Sequence, residues 1–122
     1  MLYAPNLTPP LVVIVDDDAA VRAALEFTLE LEGFDVVSCS SGEALLLRDL
    51  PNRNACLLVD ERLPGITGLD ALNQLRNCDV KLPAILMTSH PSASVRATAK
   101  AAGVPILEKP LLGDALTVAI RN

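Results

Sequence analysis

Short unbroken hydrophobic runs alternate along this chain with stretches in which hydrophobic residues recur every three or four positions. Leu11-Val12-Val13-Ile14-Val15 is of the first kind, the pattern of a strand covered on both faces. From Ala19 the period changes. Val21, Ala24, Leu25, Thr28 and Leu29 fall on one helical face, with Arg22, Glu26 and Glu30 on the other. Asp18 stands where an N-cap belongs and Gly33 where a helix stops. The alternation then repeats. Asp35 to Ser38 reads as a strand, and Glu43 to Leu50 as a helix between a Ser41 cap and Pro51. Cys56 to Val59 reads as a strand, and Gly68 to Arg76 as a helix with Leu69, Leu72 and Leu75 inward. Ala84 to Met87, Pro105 to Leu107 and the helix between them (Ser92 to Ala102) continue the series. Asp114 to Arg121 closes it, with Leu116, Ala119 and Ile120 inward.

Five strands alternating with five helices imply an α/β fold, a parallel sheet covered on both faces. Residues 1–10, with Pro5, Pro9 and Pro10, read as an irregular arm before a single domain over 11–122. The arm has neither the basic start nor the apolar stretch of a signal peptide. No apolar run approaches the roughly 20 residues of a membrane span. At 122 residues the chain can bury roughly two-thirds of its unfolded surface. With one Tyr, two Phe and no Trp, that core must be aliphatic. The net charge of -5 argues against direct nucleic-acid binding, which needs a basic stripe, and suits a cation site or a basic partner. Cys39, Cys56 and Cys78 lack metal-ligand spacing. They read as small buried apolar residues, reduced in a cytoplasmic setting.

In a parallel sheet, ligands bind outside the carboxyl ends of the strands. Asp16, Asp17 and Asp18 follow the first strand, Asp60 and Glu61 the third, Thr88 and Ser89 the fourth, and Lys109 the fifth. An acidic residue there commonly caps the next helix, and Asp18 is read as no more than that. The remaining coincidence is harder to assign to structure alone. Neighbouring carboxylates repel one another unless a cation joins them, and Mg²⁺ takes oxygen ligands of this kind. A carboxylate can also attack phosphorus, giving an acyl phosphate whose oxygens need a metal, a lysine and a hydroxyl. Asp16, Asp17 and Asp60 suit the metal, and Lys109 and Thr88 suit the phosphoryl group.

These residues resemble the receiver-domain family of two-component response regulators. The motifs are Val15-Asp16-Asp17-Asp18, Leu57-Leu58-Val59-Asp60-Glu61-Arg62-Leu63-Pro64-Gly65-Ile66-Thr67-Gly68, Met87-Thr88-Ser89 and Leu107-Glu108-Lys109-Pro110. The wording of the acceptor loop and of Leu107-Glu108-Lys109-Pro110 is similar to regulators with helix-turn-helix output domains. The resemblance implies a doubly wound, flavodoxin-like fold with strand order 2-1-3-4-5. It implies that Asp60 accepts a phosphoryl group from a sensor histidine kinase or phosphotransfer protein. Asp17 would bind Mg²⁺ directly, Asp16 largely through water, and Asp60 and the backbone carbonyl of Arg62 would complete the protein ligands. Thr88 would swing toward the phosphoryl group, Lys109 would pair with it, and the Lys109–Pro110 bond is of a kind often cis in the family.

The match implies a switch in place of a dedicated turnover enzyme. Nearly two negative charges arrive at the strand ends and shift a pre-existing equilibrium. The face formed by the helix at 92–102, the strand at 105–107 and the last helix would then favour a partner or a homodimer. Ile106 stands where many receivers carry an aromatic switch, so no tyrosine hydroxyl takes part. Arg62 is placed to lean over the site, and His90 reads as loop surface. Three rival readings compete. A haloacid-dehalogenase-type phosphatase would use Asp16 and Asp18, but Ala20 and the small chain disfavour it. A phosphorylation-independent interaction module would not need the full acidic set. A nucleotide-binding flavodoxin-like protein would need a phosphate loop after the first strand.

Overall fold

The computed structural model describes residues 9–52, 54–111 and 115–121. The elements are β1 (Leu11–Val15), α1 (Ala19–Leu31), β2 (Asp35–Cys39), α2 (Gly42–Leu46), β3 (Ala55–Asp60), α3 (Gly68–Asn77), β4 (Ala84–Thr88), α4 (Ala93–Ala101), β5 (Ile106–Glu108) and α5 (Ala115–Arg121). All strand pairs are parallel, in the order β2-β1-β3-β4-β5. The α/β parallel sheet expected from the alternation is therefore present, in the doubly wound strand order that the resemblance implies. Of the expected arm, residues 1–8 lie outside the described residues, as does Asp114 at the start of the last helix.

Strand alternation sorts the core into two layers. Val13, Val15, Leu57, Val59, Ala84 and Leu86 pack with Leu45, Leu69, Leu72 and Ala99, from α2, α3 and α4. Val12, Ile14, Leu58, Ile85 and Met87 pack with Leu25, Leu29 and Leu116, from α1 and α5. The central strands are apolar on both faces because both faces are covered.

Side chains cap four helices, two of them, at Asp18 and Ser41, where the sequence indicates. Asp18 Oδ1 accepts from the N–H groups of Ala20 and Val21 at 2.9 and 3.3 Å. Ser41, Thr67 and Ser92 cap α2, α3 and α4 in the same way. Three helices end in one motif, a left-handed residue followed by an N–H returning to a carbonyl five residues back. Gly33 (φ 93°) and Gly103 (φ 71°) supply that residue after α1 and α4. Phe34 and Val104 then donate to Leu29 and Ala99. After α3 the position falls to Asp79 (φ 63°), with Val80 donating to Leu75.

Four expectations need correction. The second helix ends at Leu46, short of Leu50: Leu47 is already its C-cap, and Arg48 N–H bonds to Leu45 in a tighter turn. Ala24 and Thr28 are exposed, not inward. Only Leu25 and Leu29 of α1 are buried, and the Thr28 hydroxyl donates to the Ala24 carbonyl at 3.0 Å. Cys39 and Cys56 are buried free thiols, but Cys78 is exposed because it caps the end of α3. Arg22 is not a plain solvent-face residue, as its guanidinium returns to the Asp16 carbonyl.

Candidate functional site

The backbone ladder carries the four strand ends to one edge. Val15 lies between Cys39 and Val59, Asp60 beside Met87, and Thr88 beside Glu108. Beyond these pairs the ladder runs on: Asp16 N–H donates to Cys39 O, Glu61 N–H to Met87 O and Lys109 N–H to Thr88 O. Asp16, Asp60 and Lys109 follow Ile14, Leu58 and Leu107 by two residues, so alternation puts all three on the side shared with α1 and α5. Thr88 follows Leu86 by two, on the side covered by α4.

Asp16 is fully buried, and Asp60 and Thr88 are nearly so. Carboxylate oxygens of Asp16, Asp17 and Asp60 all lie within 4.8 Å of one another. Lys109 Nζ reaches Asp16 Oδ2 at 3.0 Å and Asp60 Oδ2 at 3.4 Å. Burial, with repulsion from Asp16, outweighs the attraction of Lys109 and pushes the Asp60 carboxyl above the usual carboxylate range. Burial alone would lower the Lys109 ammonium, but its hydrogen bond to Asp16 and the charges of Asp60 and Asp16 overcome that and raise it. The Lys109–Pro110 peptide bond is cis.

Three carboxylates against one ammonium leave a surplus of two negative charges when all are ionised, matching a divalent cation. The donors are all hard oxygens, which suits Mg²⁺. Thr88 Oγ1 is buried and has no hydrogen-bond partner among the described residues. A buried hydroxyl of this kind is costly unless an incoming ligand satisfies it. The strand ends thus offer clustered carboxylates that suit a cation, with an ammonium beside them.

The strand ends bring Asp16, Asp17, Asp60 and Lys109 together, and Thr88 ends the strand next to that of Asp60. Arg62 N–H lies 3.5 Å from Asp60 Oδ1, which sets that stretch of backbone beside the carboxylate. Its side chain is mostly exposed and lies 3.7 Å from Glu61. His90 is on the surface, as expected.

Two further residues shape the site. Arg22, from α1, donates to the backbone carbonyl of Asp16 at 2.7 Å and pins the turn carrying Asp16 and Asp17. A Cβ on Gly68 would lie 2.2 Å from the carbonyl oxygen of Asp60. Glycine lets the start of α3 pass directly against the end of β3. Spacing alone signalled neither contact. Gly68 stands in the motif quoted above, but its close approach is tertiary.

An acidic pocket at the C-terminal edge of a 2-1-3-4-5 parallel sheet, with a lysine and a threonine from the last two strands, defines a class of signalling domain. A model of the response regulator receiver domain matches residues 12–121. The transcriptional regulatory protein FixJ of Azorhizobium caulinodans is 36% identical over 109 residues, covering 88% of this chain and 52% of FixJ. The C4-dicarboxylate transport transcriptional regulatory protein DctD of Pseudomonas aeruginosa is 34% identical, covering 98% of this chain and 26% of DctD. Among solved structures, FixJ-N superimposes with a TM-score of 0.84 at 33% identity, covering 94% of this chain and 93% of that one. The chain belongs to the response regulator receiver domain family of two-component systems. It spans about half or less of the length of these two relatives.

Proposed function

We propose that Asp60 is the phosphoryl acceptor of this receiver domain, with Asp16, Asp17, Asp60 and the Arg62 carbonyl holding Mg²⁺. The observation that carries this reading is Lys109 Nζ between the Asp16 and Asp60 carboxylates, with the unsatisfied Thr88 hydroxyl on the next strand end. An Asp60 oxygen attacks phosphorus, and the P–N bond of a kinase or phosphotransfer-protein phosphohistidine breaks. The electron pair returns to the imidazole, which takes up a proton. Bound Mg²⁺ supplies charge compensation for the carboxylates and the phosphoryl oxygens. Lys109 keeps its proton, transfers its ion pair to the new anion and offsets charge there. Thr88 donates its free hydroxyl to a phosphoryl oxygen.

Thr88 lies at the end of the β4 side that α4 covers, so its movement carries the signal toward α4 and β5. The face of α4, β5 and α5 then favours a partner or a homodimer. Ile106 is half-buried against the α4-side core and takes part by packing alone. The unit is a switch over 11–122 behind an arm at 1–10, and not a dedicated turnover enzyme. No described helix is long and apolar enough to cross a membrane. Three free thiols suit a cytoplasmic setting. Acetyl phosphate with Mg²⁺ should add one phosphoryl group to the intact mass of the wild type and none to Asp60→Asn. Equal labelling of the two proteins rules out the acceptor assignment.

A further inference from the structure

The loop of residues 61–67 carries Arg62 past Asp60, so its shape decides where that backbone stands. Gly68 N–H closes its base on the Glu61 carbonyl at 3.2 Å. Its far side is held by a different element. Glu43, in the first turn of α2, accepts the Ile66 N–H on Oε2 at 3.2 Å, across 23 residues of sequence. Gly65 takes a left-handed φ of 78°, and a Cβ there would lie 2.3 Å from the same Oε2. Gly42 and Ile66 fit as closely: a Cβ on Gly42 would lie 2.7 Å from Ile66 Cγ1. Two glycines thus let the start of α2 and the turn of the loop meet, and one carboxylate fastens them.

We infer that Glu43 is a positioning residue for the Asp60 site, acting through the Ile66 amide to hold the 61–67 loop in its metal-ready shape. The inference rests on the proposed Mg²⁺-dependent chemistry at Asp60. Glu43 touches none of the reacting groups. It removes freedom from a loop that would otherwise have to be ordered when the cation binds. Being exposed, Glu43 adds little to global stability, and its effect should appear in ligand affinity.

The test compares wild type, Glu43→Ala and Glu43→Gln. Gln loses the charge but keeps an oxygen that can accept from Ile66 N–H, which separates the hydrogen bond from any charge effect at the start of α2. Three quantities are measured: Mg²⁺ affinity by titration, the rate of acetyl phosphate labelling, and hydrogen exchange at the Ile66 amide. Glu43→Ala should weaken Mg²⁺ binding and slow labelling by about three- to tenfold, the range expected for one hydrogen bond. It should speed Ile66 exchange while leaving the urea midpoint close to wild type. Glu43→Gln should restore all three readouts. Unchanged Mg²⁺ affinity in Glu43→Ala overturns the inference, and so does equal impairment of the Ala and Gln variants. A wild type that neither binds Mg²⁺ nor accepts a phosphoryl group defeats the reading of the site itself, and the inference falls with it.

Discussion

Replacing Gly68 with alanine tests whether the α3–β3 contact sets both stability and the acidic site. The new Cβ would lie 2.2 Å from the Asp60 carbonyl oxygen and 3.0 Å from Val59 Cγ1. Ordinary contact begins near 3.4 Å, so the backbone must part by about 1 Å at the worst point. The obstacle is backbone of β3, paired to β1 and β4 on either side, and it cannot swing away. Overpacking of this kind costs about 1–3 kcal/mol. Alanine returns at most about 1 kcal/mol in helix propensity, and less at the first helical position. The balance is a loss of about 1–2 kcal/mol, or about 3–10 °C in melting temperature for a domain of this size. Urea denaturation measures the first effect. Labelling by acetyl phosphate measures the second and should slow at least about tenfold, because the reacting carboxylate is displaced. Gly103→Ala is the control. Its φ of 71° strains an alanine by about 1 kcal/mol, but nothing lies within 4 Å of the new Cβ, so labelling should be unchanged. A Gly68→Ala protein with a midpoint at or above wild type refutes the reasoning.

Three more expectations concern charge and backbone. Lys109→Met leaves the buried Asp16 and Asp60 carboxylates facing each other. It should cost about 3 kcal/mol at neutral pH in the absence of divalent cations, and urea titrations should show Mg²⁺ stabilising it more than the wild type. Asp60 holds its proton more tightly in the folded chain than in the unfolded one. Its contribution to stability is therefore present below the ordinary carboxylate value and lost as pH rises through the elevated one. Asp60→Asn should then be more stable than metal-free wild type at neutral pH, with the gap closing in acid, as followed by thermal melts across pH. Asp79→Gly should stabilise by about 1 kcal/mol, since it relieves a left-handed residue at the end of α3. A lower denaturation midpoint would contradict this.

The elements were largely legible in the sequence because covered strands and amphipathic helices leave periods of different length. Helix caps were legible for a similar reason: Asp18, Ser41 and Gly33 act on backbone groups only a few residues away. The errors fell where a local pattern competes with packing. Thr28 matches the helical period, yet α1 buries only a narrow stripe, so its hydroxyl turns to the Ala24 carbonyl. Leu50 suited a longer helix, but it packs against the core from irregular chain beyond α2. Cys78 is apolar enough for a core and is exposed because it caps α3.

The identities of the groups at the strand ends are properties of the chain, as is the repeat of strand and helix that sends every strand the same way. Strand order belongs to the tertiary structure. Only the pairing of β1 with β3, of β3 with β4 and of β4 with β5 brings Lys109 within 3.4 Å of both Asp16 and Asp60, although 93 residues separate it from Asp16. The same holds for Gly68 beneath Asp60, Arg22 on the Asp16 carbonyl and Glu43 on the Ile66 amide. Such contacts join elements whose spacing leaves no periodic trace, because their distance is set by how helices settle on the sheet and not by the rise of any one helix or strand.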